Sequence, residues 1–96
     1  MKQAELLNID RNLQVILEDL NTVTRMMEER HPCNQVLHKI ETIQRALRVL
    51  GCSLIAYQVR ESIAFLQNNP DPAARIIEIV RLQDLYKEMI RTPYLK

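Results

Sequence analysis

Apolar residues recur along this chain at alternating steps of three and four, and the pattern breaks twice. The first run is Leu6, Ile9, Leu13, Ile16, Leu20, Val23 and Met27. Such steps keep side chains on one face of a helix, so they predict a helix over about residues 4–30. Leu17 and Met26 widen the stripe, and Glu5, Arg11, Glu18, Asp19 and Arg25 occupy the opposite face. The first break is His31-Pro32. Proline suits a first helical turn and pushes the residue before it out of the helical region. The link is therefore very short, and short links make antiparallel neighbours. The second run predicts a helix over 33–67, with Val36, Ile40, Ile43, Leu47, Leu50, Leu54 and Tyr57 as its main stripe. Leu37, Val49, Ile55, Val59, Ile63 and Leu66 form a second line beside it. At 1.5 Å per residue this helix is roughly 50 Å long. Helix one covers only part of it, and the uncovered apolar faces predict an obligate homo-oligomer.

Gly51 lies inside the second pattern, where a bend and a close helix crossing are both open. The second break is Asn68-Asn69-Pro70-Asp71-Pro72. Asp71 followed by Pro72 predicts an N-cap with proline at the first helical position. A third helix then spans 72–91, with Ile76, Ile77, Val80, Leu85 and Ile90 as its apolar side. Arg75, Glu78, Arg81, Asp84, Lys87 and Glu88 pair at helical spacings, which predicts a solvated outer face. Thr92-Pro93 ends it. The expectation is an all-α domain, 1–96, whose three-helix protomer has a long central helix.

Composition narrows the function. With 96 residues the core is thin, and with 47% hydrophobic but only 4% aromatic residues it must be filled by Leu, Ile and Val. A net charge of +1 counts against tight nucleic-acid binding by a lone monomer but leaves room for a basic stripe on an assembled oligomer. The two cysteines, Cys33 and Cys52, are too few for a disulfide scaffold, and a reducing cytoplasm fits them best. No apolar run is expected to approach the roughly 18 residues of a membrane span, and the N-terminus carries charges where a signal peptide needs an apolar block.

No set of residues predicts an enzyme. A single glycine excludes a phosphate-binding loop, and Ser, His and Asp form no hydrolytic set. Glu28, Glu29 and Glu61 read as solvated carboxylates on helices. His31 and Cys33 are the only local pair of good metal-ligand types, and His38 could reach a partner chain. Cys33 stands at the mouth of helix two, where the partial positive charge of a helix N-terminus favours the thiolate needed for a ligand or a reactive thiol. Cys52, in mid-helix, reads as core or interface.

Arg25-Met26-Met27-Glu28-Glu29, then Cys33, Val36-Leu37, Ile40 and Ala46-Leu47, resemble the copper-sensing operon repressor (CsoR-type) family, which includes nickel/cobalt- and formaldehyde-responsive repressors. The likeness covers about residues 10–66 well, and Tyr94-Leu95-Lys96 is similar to the tail of the formaldehyde-responsive branch. The resemblance implies an antiparallel four-helix-bundle dimer that assembles into a disc-like tetramer. It implies a repressor that binds operator DNA without a helix-turn-helix and lets go when an effector arrives. In metal-sensing members a Cys at the start of helix two joins a His and a Cys, or two His, from the partner's helix two. Cys33 keeps the first position, whereas the others fall on Gln58 and Ser62. An amide and a hydroxyl are poor ligands for Cu(I), which implies a lost or altered metal site and at most a transition metal held weakly through Cys33, with His31. Formaldehyde sensing through Cys33 stays open, although Lys2 stands where that branch has proline.

On the DNA side Arg11 is kept, Asn12 falls where Arg is common, and Glu18-Asp19 would repel phosphate. Arg11, Lys39, Arg45 and Arg48 are the candidate contacts. The leading expectation is a cytoplasmic, homotetrameric DNA-binding repressor with Cys33 as its sensor. The alternative is a diverged helical module that has given up DNA and binds a protein or small-molecule partner.

Overall fold

A computed structural model describes residues 2–92 of the chain. It contains three helices: α1 (Lys2–Glu28), α2 (Cys33–Asn68) and α3 (Pro72–Arg91). The similarity noted at residues 94–96 lies outside the described residues, as does Pro93. The chain forms two compact units, Met1–Gly51 and Cys52–Lys96, and α2 contributes to both. Gly51 is helical and has no positive φ.

In the first unit α1 and the N-terminal part of α2 pack through Ile9, Ile16, Ile43 and Leu50, with Val23 and Ala46 against them. The predicted stripe on α1 therefore splits in two. Ile9, Ile16 and Val23, seven residues apart, face α2. Leu6, Leu13, Leu20 and Met27, the alternate members, stay exposed in the single chain. On α2 the same division separates Ile43 and Leu50 from exposed Leu47. A heptad carries two lines of apolar residues, and within this unit one line per helix is consumed.

The turn between α1 and α2 has a definite chemistry. Arg30 adopts φ 57°, the left-handed region. The His31 amide donates to the Met26 carbonyl at 2.9 Å, and the Arg30 amide to Met27 at 3.2 Å. This pair of bonds is the Schellman arrangement that closes helix C-termini, with arginine where glycine is usual. It ends α1 two residues before the expected Arg30. The Pro32 carbonyl then accepts from the Gln35 and Val36 amides at 3.0 and 3.2 Å, so Pro32 is the N-cap of α2 and Cys33 its first helical residue.

The second unit joins the C-terminal part of α2 to α3. Asp71 caps α3 as the sequence predicts: its side chain accepts from the Ala74 amide at 3.3 Å, with proline at the start of the helix. Asn69 Oδ1 accepts from the Asp71 amide at 3.0 Å, which fixes the approach to the cap. Arg75 donates to the carbonyls of Leu66 and Asn69, closing the end of α2.

The inward face of α3 differs from the expectation. Ile76 and Ile77 are each 62% exposed, and Val80 and Ile90 are exposed as well, whereas Glu78 is 5% exposed. Ala74, Glu78, Leu82, Leu85 and Met89, at steps of four and three, form the covered line. Apolar residues surround this helix on nearly every side, so periodicity alone had no unique face to select. Glu78 and Arg75, read as solvated, belong to the joint with α2.

α2 also corrects the expectation that no run approaches membrane length. It contains an 18-residue window of mean hydropathy 1.3, long and apolar enough to cross a membrane by length and composition. Between Val49 and Gln67 its only charged residues are Arg60 and Glu61. The core helix of a soluble protein passes the same criterion, so the window is weak evidence.

Candidate functional site

The candidate residues fall into three groups, and the structure treats each differently. The first is the thiol. Cys33 is free and exposed at the first position of α2. Its amide and that of Asn34 belong to the first helical turn, whose N–H groups have no carbonyl of their own helix to bond. No acidic residue stands in that turn. His31 lies two residues before the thiol, with its Nε2 3.4 Å from Glu29 Oε1. His38 is exposed and 4.0 Å from Glu41 through Nδ1. Cys52 is also free and exposed in the single chain, where a core or interface position was expected.

The second group is Gln58 and Ser62. Gln58 Nε2 donates to Ser62 Oγ at 3.0 Å, and Ser62 Oγ donates to Glu78 Oε1 at 2.6 Å. Arg81 Nη1 lies 3.2 Å from the other carboxylate oxygen of Glu78. Ser62 is completely buried. The two positions singled out as substituted ligands are thus joined to each other and to a carboxylate on α3. Glu78 and Arg81 complete the set and were missed as site residues. The available signal was the line through Ala74, Glu78 and Leu82, which competed with the more apolar line through Ile76 and Val80.

The third group is basic. Arg11 and Arg45 are exposed, and so is Arg48. Lys39 Nζ lies 3.1 Å from Asp19 Oδ1, joining α2 to α1. This pair fits an antiparallel packing in which Ile16 and Ile43 meet at the same level. It also gives Asp19, expected to repel phosphate, a counter-charge.

The described residues are helical, with a long central helix, an exposed thiol at that helix's start and cations on two helices. A family model described as metal-sensitive transcriptional repressor matches residues 12–89, and the chain belongs to that family. The resemblance read from the Arg-Met, Cys33 and α2 spacing is thereby borne out. No curated protein and no solved structure matches the chain.

The family's name implies a metal, and the donors can be tested against it. Among the described residues no three His, Cys, Asp or Glu side chains group in a way that could hold an ion. The oxygens of Ser62 and Glu78 are hard donors, already committed to each other, to the Gln58 side-chain N–H and to Arg81. They do not fit a thiophilic ion, which prefers thiolate and imidazole. Cys33 alone offers an exposed soft donor beside an imidazole in sequence.

Proposed function

We propose that this protein is a cytoplasmic, DNA-binding transcriptional repressor with a lost or altered metal site, acting as a homo-oligomer in which Cys33 is the sensory residue. The observation that carries the reading is the family match over 12–89, joined to an exposed thiol at the first position of α2. Oligomer formation follows from the unused heptad lines. Leu6, Leu13, Leu20 and Met27 on α1 and Leu47 on α2 are exposed in one chain and would be covered by a second. A dimer of such pairs, and then a tetramer, multiplies the cations of one chain into an extended basic surface. Arg11, Lys39, Arg45 and Arg48 are the proposed phosphate contacts, with Lys39 paired to Asp19 within the protomer. Any transition metal is held weakly, through Cys33.

Fluorescence anisotropy of the full chain against its own upstream DNA and a scrambled control, at two salt concentrations, tests the reading. Preferential binding that weakens as salt rises is the expected result. Formaldehyde or zinc then releases the DNA from wild type and not from Cys33→Ala. Absence of binding at low salt, from a sample shown to be oligomeric, refutes the repressor. The alternative, a helical module that binds a protein or small-molecule partner, is favoured by the Lys39–Asp19 pair, which spends a candidate DNA contact inside the protomer.

A further inference from the structure

Ser62 and Glu78, at the α2–α3 joint, are buried and hydrogen-bonded to each other, and this pairing has a consequence for effector binding. A serine hydroxyl has one proton to give and lone pairs to accept with. Ser62 gives its proton to Glu78 Oε1 and accepts from Gln58 Nε2. Glu78 turns its second oxygen to Arg81. Ser62 and Glu78 are the only buried polar residues among those described. Buried polar groups persist in folded proteins when they are paired, and these are paired in series. A metal ion entering at Ser62 would remove the proton donor from a buried carboxylate and would meet the Arg81 guanidinium beside the same carboxylate, so both steps oppose it.

We infer that Gln58, Ser62, Glu78 and Arg81 form a fixed clasp between α2 and α3 that has taken the place of metal ligands, so that no metal response of this chain runs through positions 58 and 62. The inference rests on the altered-metal-site reading above and is independent of DNA binding. Gln58, Ser62 and Glu78 act here as positioning residues for α3. Effector chemistry is left to the exposed thiol of the first unit.

Hydrogen exchange of the full chain in its native assembly, with and without Cu(I) or Zn(II), and without DNA, tests this. In wild type, neither ion changes exchange in segments 58–66 and 74–82. Ser62→Ala speeds exchange across 74–82 by about tenfold or more, as loss of a hydrogen bond to a charged group requires, and leaves α1 unchanged. Chelator competition then gives the same metal uptake for wild type and Ser62→Ala. Slowed exchange at 58–66 or 74–82 on adding either ion overturns the inference. A tenfold or larger loss of uptake in the variant overturns it as well, and so does unchanged exchange of α3. Should Ser62→Ala fail to fold, Gln58→Ala, at the outer end of the clasp, replaces it in the uptake comparison, and the wild-type exchange result stands alone. Failure of the repressor reading is seen separately, in the anisotropy titration.

Discussion

Arg30 is the residue at which local geometry and residue type disagree most, and the disagreement can be measured. Its φ of 57° places a side chain with a Cβ in the left-handed region. That conformation costs an L-residue about 1–2 kcal/mol, through the approach of Cβ to the following carbonyl oxygen. The two amide bonds at 2.9 and 3.2 Å hold it there. Arg30→Gly removes the steric cost, but glycine loses more freedom on folding, about 0.4–1 kcal/mol. Both Arg30→Gly and Arg30→Ala delete the cation that a helix C-terminus favours. Comparing the two variants with each other cancels that loss. Glycine should then exceed alanine by about 0.5–1 kcal/mol, which for a chain of this length is a difference in Tm of about 2–8 °C. Thermal unfolding followed by circular dichroism, at one protomer concentration for both proteins, reads it directly. Equal concentration matters because association shifts apparent stability by mass action. An alanine variant as stable as the glycine variant would refute the argument, since it would mean that the turn is not held in this conformation.

The thin core makes the first unit sensitive. Ile16→Ala, at a position 4% exposed, should cost about 2–5 kcal/mol in urea unfolding, a large share of a total of roughly 5–15 kcal/mol. Leu13→Lys with Leu20→Lys places charges on the unused line of α1; light scattering should show a smaller assembly, with helicity retained by circular dichroism. An unchanged mass would remove that line from the proposed interface. Replacing the buried pair of the clasp, Ser62→Ala with Glu78→Leu, should be neutral or stabilising by about 1–4 kcal/mol, whereas Ser62→Ala alone destabilises. A double variant less stable than the single one would show that the clasp contributes more than its own saturation.

What could be read from the sequence follows from where the physics is local. The breaks at His31-Pro32 and Asn68–Pro72 and the Asp71 cap are set by backbone chemistry within a few residues, and they appear where the pattern placed them. The α1–α2 seam was legible only to within a heptad. The stripe named Ile9 and Leu13 together, but only a partner helix decides which line is buried, and α2 takes Ile9, Ile16 and Val23. Arg30 was hidden because nothing in its side chain signals a left-handed residue. Cys33 could be placed from Pro32 alone. Gln58 and Ser62 could be singled out through the resemblance; the hydrogen bond of Ser62 to Glu78 could not, because it joins residues 16 apart on two helices.

The buried pair also answers a problem that the apolar pattern of α3 leaves open. Ile76, Ile77, Ile79 and Val80 occupy four of five successive positions, so several rotations of this helix would bury a comparable apolar surface. Hydrophobic burial is non-directional and cannot choose among them. The Ser62–Glu78 hydrogen bond can, because it is directional, and a rotation of α3 that carries the Glu78 carboxylate away from the Ser62 hydroxyl breaks it. A polar group in an apolar interface thus fixes register at some cost in stability, as single buried polar residues do in coiled coils. On this argument the branched residues excluded from the joint are not misplaced. They stay exposed because the clasp has set the rotation of α3.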